Sequence, residues 1–449
     1  MPSLKVSRKG LAQIKQAISQ KGWKVCDDRW LVEASKILEP DGSWQLDGPY
    51  AYGCSLPTWE RFLQGIAIRD RSFIAFCQAL AIHPEEVAET NSYLREDWGN
   101  APEAPTFYGR EPELKTLEGW IVQERCRLIS IVGFTGIGKT RLVRGALDRV
   151  SLPLTSFVRE EFHYLIWRRL NAQPIQALLS ELITVLSNHR ETRLPQTQQD
   201  LIDLLFHYLK QHRCLLILDG AESILQGGDC AGCYQPGYEA YEDLIHRLGE
   251  TAHQSCTLLL SRERLRDIED MEGLYPVRSL TLNGLDTAAV QRIFQAIGCD
   301  RDLAFDGSPQ DWERLVSIYG GNPMLLETAA RHILRRFDGS LSAFLQQDLI
   351  VFGKIRSCLN WHFDRLSQAQ QEIVYQLASS RALVSMTSLQ KNACSSLFKR
   401  QVPEILDNLE RQIPLKKVGS CFTVQSVFIE YVDERGKAPV LRALASRAT

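Results

Sequence analysis

The stretch Leu128–Leu142, LISIVGFTGIGKTRL, decides the fold. Leu128 to Val132 is an unbroken apolar run and reads as a buried strand, and helix-compatible sequence begins at Lys139. Between them, Gly133, Gly136 and Gly138 let the backbone turn so tightly that its N–H groups face inward, a concavity suited to phosphate oxygens. Lys139 is then placed to reach the β- and γ-phosphates of a nucleotide, and Thr140 to offer its hydroxyl to Mg²⁺. The following helix adds the positive end of its dipole. A glycine-lysine-threonine turn occurs by accident, but strand, loop and helix in this order are much rarer. Nucleotide binding is the expectation.

Working outward, further apolar runs at Tyr164–Trp167, Cys214–Leu218, Thr257–Leu260 and Ser279–Leu282 each precede a loop and then helical material. That rhythm predicts a three-layer α/β domain with a parallel sheet. The run CLLILDG ends its strand in Asp219, at the carboxyl edge beside the phosphate loop, where with Thr140 it can hold Mg²⁺. Many ATPases follow this acid with a second one that polarises water; here Gly220 stands there. Glu222 is the nearest candidate base, and an ordinary helix-start acid is an equal reading, so slow hydrolysis is expected. In LLLSRERL, Ser261 and Arg262 end the next strand, where a guanidinium can read a γ-phosphate bidentately or simply face solvent. Lys139, Asp219, Glu222 and Arg262 form the expected catalytic set.

At 449 residues, 44% apolar and 24% charged, the chain has material for two to four cores, and a net charge of −2 gives no global pull toward nucleic acid or anionic lipid. The first residues lack the apolar core of a signal peptide, and no run of eighteen apolar residues suggests a membrane span. Twelve scattered cysteines fit reduced thiols in a cytoplasmic protein better than a disulfide framework. Cys230, Cys233, His246 and His253 approach a zinc-finger spacing, but two histidines seven apart on a helix are separated by about 10 Å of rise. Zinc is not expected there.

The polar, proline-bearing stretch Leu94–Pro105 marks a linker. Before it, Leu11, Ile14, Ile18 and Trp23 can share a helix face, Trp30–Leu38 reads as a second helix, and Glu39–Gly53 reads as a loop. Ser55 or Thr58 can cap the helix in SLPTWERFLQG, and SFIAFCQALAI is a strongly apolar helix. From Asp286 to Phe352 the pattern is helical, and near the C-terminus Ile413–Val418 and Cys421–Val424 form a short β-like pair suggesting a winged helix. The expected division is 1–91, a helical module; 92–106, a linker; 107–284, the nucleotide-binding domain; 285–356, a helical subdomain; and 357–449, a winged helix.

Taken together, FYGRE (Phe107–Glu111), GFTGIGKT, LILDGAE, LLLSRE and GGNPMLL (Gly320–Leu326) resemble, in order and spacing, the NB-ARC class of STAND P-loop ATPases over residues 107 to about 440. The resemblance implies ATP and ADP with Mg²⁺ as cofactors. By it, Phe107, Tyr108, Gly109 and Arg110 line an adenine pocket with Pro323. The loop residues Gly133, Thr135, Gly136, Ile137, Gly138, Lys139, Thr140 and Arg141 hold the phosphates. In FTVQSVFIEYV, Gln425 takes the place of a histidine that relatives set against the β-phosphate of ADP; it can donate a hydrogen bond but carries no charge. The implied behaviour is an ADP-held closed state and ATP-driven opening into homo-oligomers, signalling to a protein effector or sensor partner. Relatives usually continue into WD-type or other sensor repeats. The N-terminal module resembles a lambda-repressor-like helix-turn-helix, so an ATP-responsive, DNA-binding transcription regulator is the alternative. With only Arg61 as a cation on its presumed recognition helix, a protein adaptor is the better expectation.

Overall fold

In the computed structural model, the apolar faces near the N-terminus close into one unit, Met1–Leu94 with Arg159–Glu161, and Arg95–Val158 with Phe162–Thr449 make a second. The structure describes all residues except 1–2, 26, 41, 88–93, 104–107, 149–153, 155–156, 159–160, 189, 192, 300–303, 348, 393–395 and 446–449.

The first unit holds helices Arg8–Lys21, Arg29–Leu38, Leu56–Leu63 and Asp70–Ala79, with strands β1 (Ser3–Leu4) and β2 (Ile68–Arg69) paired antiparallel. Ser7 caps the first helix by accepting from the Gly10 N–H at 2.8 Å, and Ser55, rather than Thr58, caps the third. Trp30, Trp59, Phe62, Phe73 and Phe76 form its centre, with the Trp59 and Phe76 rings edge-on at 5.1 Å. Ile14 and Ile18 are buried, and Leu11 and Trp23 pack at the margin of the same core. Arg61, the cation of the presumed recognition helix, donates to the Ala67 carbonyl oxygen at 3.0 Å.

The second unit is built on a six-stranded parallel sheet in the order β3-β5-β6-β7-β4-β8. The strands are β3 (Arg95–Asp97), β4 (Leu128–Val132), β5 (Tyr164–Arg169), β6 (Cys214–Asp219), β7 (Cys256–Ser261) and β8 (Val277–Thr281). Every residue of β4, β6 and β7 is buried, as expected of strands covered by helices on both faces. The fold is therefore the anticipated α/β P-loop class, and β7 separates the phosphate-loop strand from the Asp219 strand. Its register sets Ser261 beside Val132 and Leu260 beside Asp219, so three strand ends open on one site.

Two differences from the sequence reading have local causes. Arg95–Asp97 lies in the stretch read as a linker, yet it pairs with Tyr164–Ile166 as the edge strand. An edge strand needs only backbone groups on one side, so charged side chains do not exclude it. The last strand begins two residues earlier than Ser279, because the pairing of Val277 with Leu128 decides its start.

Beyond the sheet, helices Thr287–Cys299, Pro309–Tyr319 and Pro323–Arg336 lead to Gly353–Asp364, Gln368–Ser380, Ser396–Gln412 and Ser426–Ala445. Among the last of these lies a small antiparallel sheet, β9 (Val384–Ser385), β10 (Leu415–Val418) and β11 (Cys421–Val424), in the order β10-β11-β9. One continuous apolar core runs from Phe134 through Leu326 and Phe363 to Val432. Where the chain leaves β8 it lies backbone to backbone on the turn Gly320–Gly321: Leu285 N–H donates to the Gly321 carbonyl at 2.8 Å, and a Cβ on Gly284 would sit 1.9 Å from the Gly320 oxygen. Only glycine fits at 284.

Candidate functional site

The turn after β4 closes because Gly136 and Gly138 hold φ of +78° and +109°, backbone that other residues rarely adopt. At Gly136 there is a second demand: a Cβ would lie 2.5 Å from that of Met324, whose N–H donates to the Gly136 carbonyl at 3.3 Å. Helix Lys139–Asp148 starts directly after the turn. Lys139 is 9% exposed, and its ammonium donates to the carbonyl oxygens of Gly133 at 2.6 Å and Phe134 at 3.3 Å. Burial pulls its pKa down to about 8, with Glu222 and Asp219 opposing that shift and Arg262 adding to it.

Opposite, the Thr140 hydroxyl lies 3.2 Å from Asp219 Oδ2, and Arg169 Nε stands 3.9 Å from the same oxygen. Burial raises the Asp219 pKa, and Arg169 acts against it. Glu222, on the short turn Ala221–Ile224, is engaged by Arg262 twice, through Nε at 2.8 Å and through the backbone N–H at 3.1 Å. These groups line a cavity of about 620 Å³. The structure thus brings together Lys139, Thr140, Asp219, Glu222 and Arg262, with Thr135, Gly136, Gly138 and Arg141 on the same wall. A buried ammonium bonded to its own loop's carbonyls, beside a hydroxyl–carboxylate pair, is a donor set that suits a polyphosphate with a divalent cation.

A second, small hollow of about 20 Å³ lies between Tyr108, Arg110, Ile137, Arg141 and Pro323. Arg110 holds φ +75°, and its guanidinium is tied to Glu113 at 2.7 Å and to the Ile137 carbonyl at 3.0 Å. Arg141 is ion-paired with Glu327. A Cβ on Gly109 would stand 3.2 Å from that of Ala289, and Phe107 lies outside the described residues.

Gln425 stands apart from the other expected site residues. It lines a different cavity, of about 790 Å³, formed by Gly133, Phe134, the Gly320–Gly321 turn and strands β10 and β11, and its amide lies against Gly320. It is not brought to the wall that carries Lys139 and Thr140. From the C-terminal helices Trp361 and Arg365 line the phosphate cavity, and the guanidiniums of Arg262 and Arg365 lie 4.5 and 5.0 Å from the Trp361 ring. Arg365 grips the buried Glu263 through two bonds, 2.6 and 2.9 Å. Arg365→Ala strands that carboxylate, and an expected loss of about 3 kcal/mol follows. Urea denaturation checks it, and a change no larger than an exposed substitution gives would contradict it.

Two residues that the sequence reading passed over hold Thr135. Asn322 caps helix Pro323–Arg336 through Oδ1 and donates from Nδ2 to the Thr135 carbonyl at 2.8 Å. The sequence signal was present, since an Asn before a helix-starting Pro is a cap pattern. His362 lies 2.9 Å from the Thr135 hydroxyl and stacks on Phe134 at 3.9 Å. No local pattern announces a contact between residues 227 positions apart.

The zinc spacing is not assembled: His253 Nε2 faces the Leu248 carbonyl at 3.0 Å, and His246 stands with Glu242 and Asp267. All cysteines among the described residues are free, and among those residues no helix is long and apolar enough to cross a membrane.

This geometry agrees with a family match. Residues 106–268 match the family model described as AAA ATPase domain, a span containing the phosphate loop, Asp219 and Arg262. The chain carries an AAA-type P-loop ATPase domain. It is 41% identical over 455 aligned residues to an uncharacterized WD repeat-containing protein of Nostoc sp., covering 96% of this chain and 36% of that protein. The chain thus spans about a third of that relative's length. Among solved structures, it is similar to the Walker-type ATPase of Pyrococcus abyssi (15% identity, TM-score 0.48, 75% of this chain and 99% of that one). It is also similar to a STAND protein with a tetratricopeptide repeat sensor from Pyrococcus horikoshii (14% identity, TM-score 0.38, 76% and 44%). Such distant overlaps say nothing of substrate or partner.

Proposed function

We propose that the chain is a nucleotide-controlled switch of the STAND type and NB-ARC class, in which ADP holds a closed arrangement and ATP releases it toward self-association. The observation that carries this reading is the tethering of Thr135: a phosphate-loop residue is bonded by Asn322 and His362, both from C-terminal helices. A ligand moves such an equilibrium only by binding one arrangement more tightly, and a loop wired to distant elements supplies that difference.

In this reading residues 107–284 bind the nucleotide, 285–356 form the helical subdomain, 357–449 the winged helix, and 1–91 an adaptor joined by 92–106. Lys139 and the loop N–H groups take the phosphates. The hollow at Tyr108, Arg110 and Pro323 widens for the base. Thr140 and Asp219 would hold Mg²⁺, which when bound offsets phosphate charge. Glu222, engaged by Arg262 in two bonds, is poorly free to activate water, so turnover is slow. The partners are a second copy of the chain and a protein effector or sensor.

Light scattering of the full chain is expected to show one mass with ADP and a larger one with a non-hydrolysable ATP analogue, and turnover is expected well under the ~10 s⁻¹ of a median enzyme. Equal masses in both nucleotides, or a metabolic rate, would count against the switch.

A further inference from the structure

The imidazole of His362 is 1% exposed, parallel to the Phe134 ring within 15°, and edge-on to Trp361 at 4.8 Å. Its Nδ1 stands 3.1 Å from the Gln412 carbonyl oxygen, which can only accept. Nδ1 therefore carries the proton and donates, leaving Nε2 with a lone pair. That lone pair accepts from the Thr135 hydroxyl at 2.9 Å and faces the Thr135 N–H at 3.4 Å. Burial holds the ring well below the usual imidazole range, and Arg262, Lys139 and Arg365 oppose a second proton, while the Gln412 carbonyl favours one. One neutral tautomer is fixed.

Each polar group of Thr135 then has a partner outside its own loop: N–H and hydroxyl on His362, carbonyl on Asn322. Gln412 ends helix Ser396–Gln412, and β10 begins three residues later. We propose that His362 is a positioning residue that sets the phosphate loop for nucleotide through Thr135 and passes its occupancy to strands β10 and β11 through the Gln412 carbonyl. The second half rests on the switch reading; the first rests on the hydrogen bonds alone. The imidazole touches neither phosphate nor metal in this role. It acts by fixing the donor directions of a loop residue, so its loss acts on affinity.

The two bonds can be cut separately in the full chain. His362→Phe keeps a ring on Phe134 and removes both bonds; His362→Gln sets its amide at the place of Nε2, keeping an acceptor within reach of Thr135, and leaves no N–H at the place of Nδ1 for the Gln412 carbonyl. With Mg²⁺ and ADP as the probe, calorimetry is expected to show His362→Phe about tenfold weaker, the worth of one such hydrogen bond, and His362→Gln within about twofold of the parent. Hydrogen exchange should show ADP protecting residues 415–424 in the parent and in neither variant. Parent-like affinity in His362→Phe overturns the positioning role, and protection that persists in both variants overturns the relay. A parent that binds ADP without protecting 415–424 defeats the switch reading and the relay with it, while the affinity comparison still decides the positioning role. Should the Phe variant fail to fold, Thr135→Val cuts the same bond from the loop side. The same tenfold loss is expected, and parent-like affinity overturns the proposal.

Discussion

Lys139→Ala is expected to lower nucleotide affinity at least about a hundredfold, the scale of losing a buried, charge-assisted phosphate contact. The ammonium is already desolvated in the folded chain, and its partners there are two carbonyl oxygens of its own loop. A phosphate supplies the counter-charge that burial has made valuable. The same logic gives a pH signature. With its pKa lowered to about 8 in the free protein and raised when phosphate is bound, Lys139 takes up a proton on binding. Affinity is therefore full below pH 8 and falls as pH rises through that value, by up to about tenfold per unit. Calorimetry on the parent at pH 7 and 9, and on the variant at pH 7, reads both effects. Unchanged binding in Lys139→Ala would sink the nucleotide assignment.

Asp219→Asn is expected to cost between about ten- and a hundredfold in Mg²⁺ dependence of turnover, the range for a group that orients a metal's surroundings. It should not cost stability. Burial raises the Asp219 pKa above its unfolded value, so the stability this group contributes is present at low pH and is lost as pH rises through the folded pKa. An amide resembles the protonated acid that the fold prefers, so melting at pH 7 is expected to be unchanged or higher. Parent-like turnover at limiting Mg²⁺ would remove Asp219 from the site; a lower melting temperature would contradict the sign of its shift.

What could be read from the chain in advance was local. The apolar run before Gly133, the acid closing β6 and the arginine after β7 are short patterns, and parallel pairing carries all three to one edge of the sheet. Gln425 is the opposite case. Its position in a motif was legible, but whether it reaches the phosphate wall depends on how β11 closes against the Gly320 turn, which no window of sequence contains. His362 is the complement: an inconspicuous histidine in an amphipathic helix that packing delivers to Thr135. Asn322 was half legible, since its capping role is local and its Nδ2 bond to the loop is not. Arg95–Asp97 was hidden because an edge strand is specified by backbone groups more than by side chains.

The backbone seam at Gly284 has a consequence for how this molecule can be manipulated. With the Gly320 oxygen 1.9 Å from where a Cβ would stand, one added methyl at 284 acts as a shim between the nucleotide-binding sheet and the helices that follow it. It adds no charge, removes no bond-forming group and leaves the phosphate cavity's lining intact. A chemist wanting the two parts pried slightly apart has that lever in a single carbon atom.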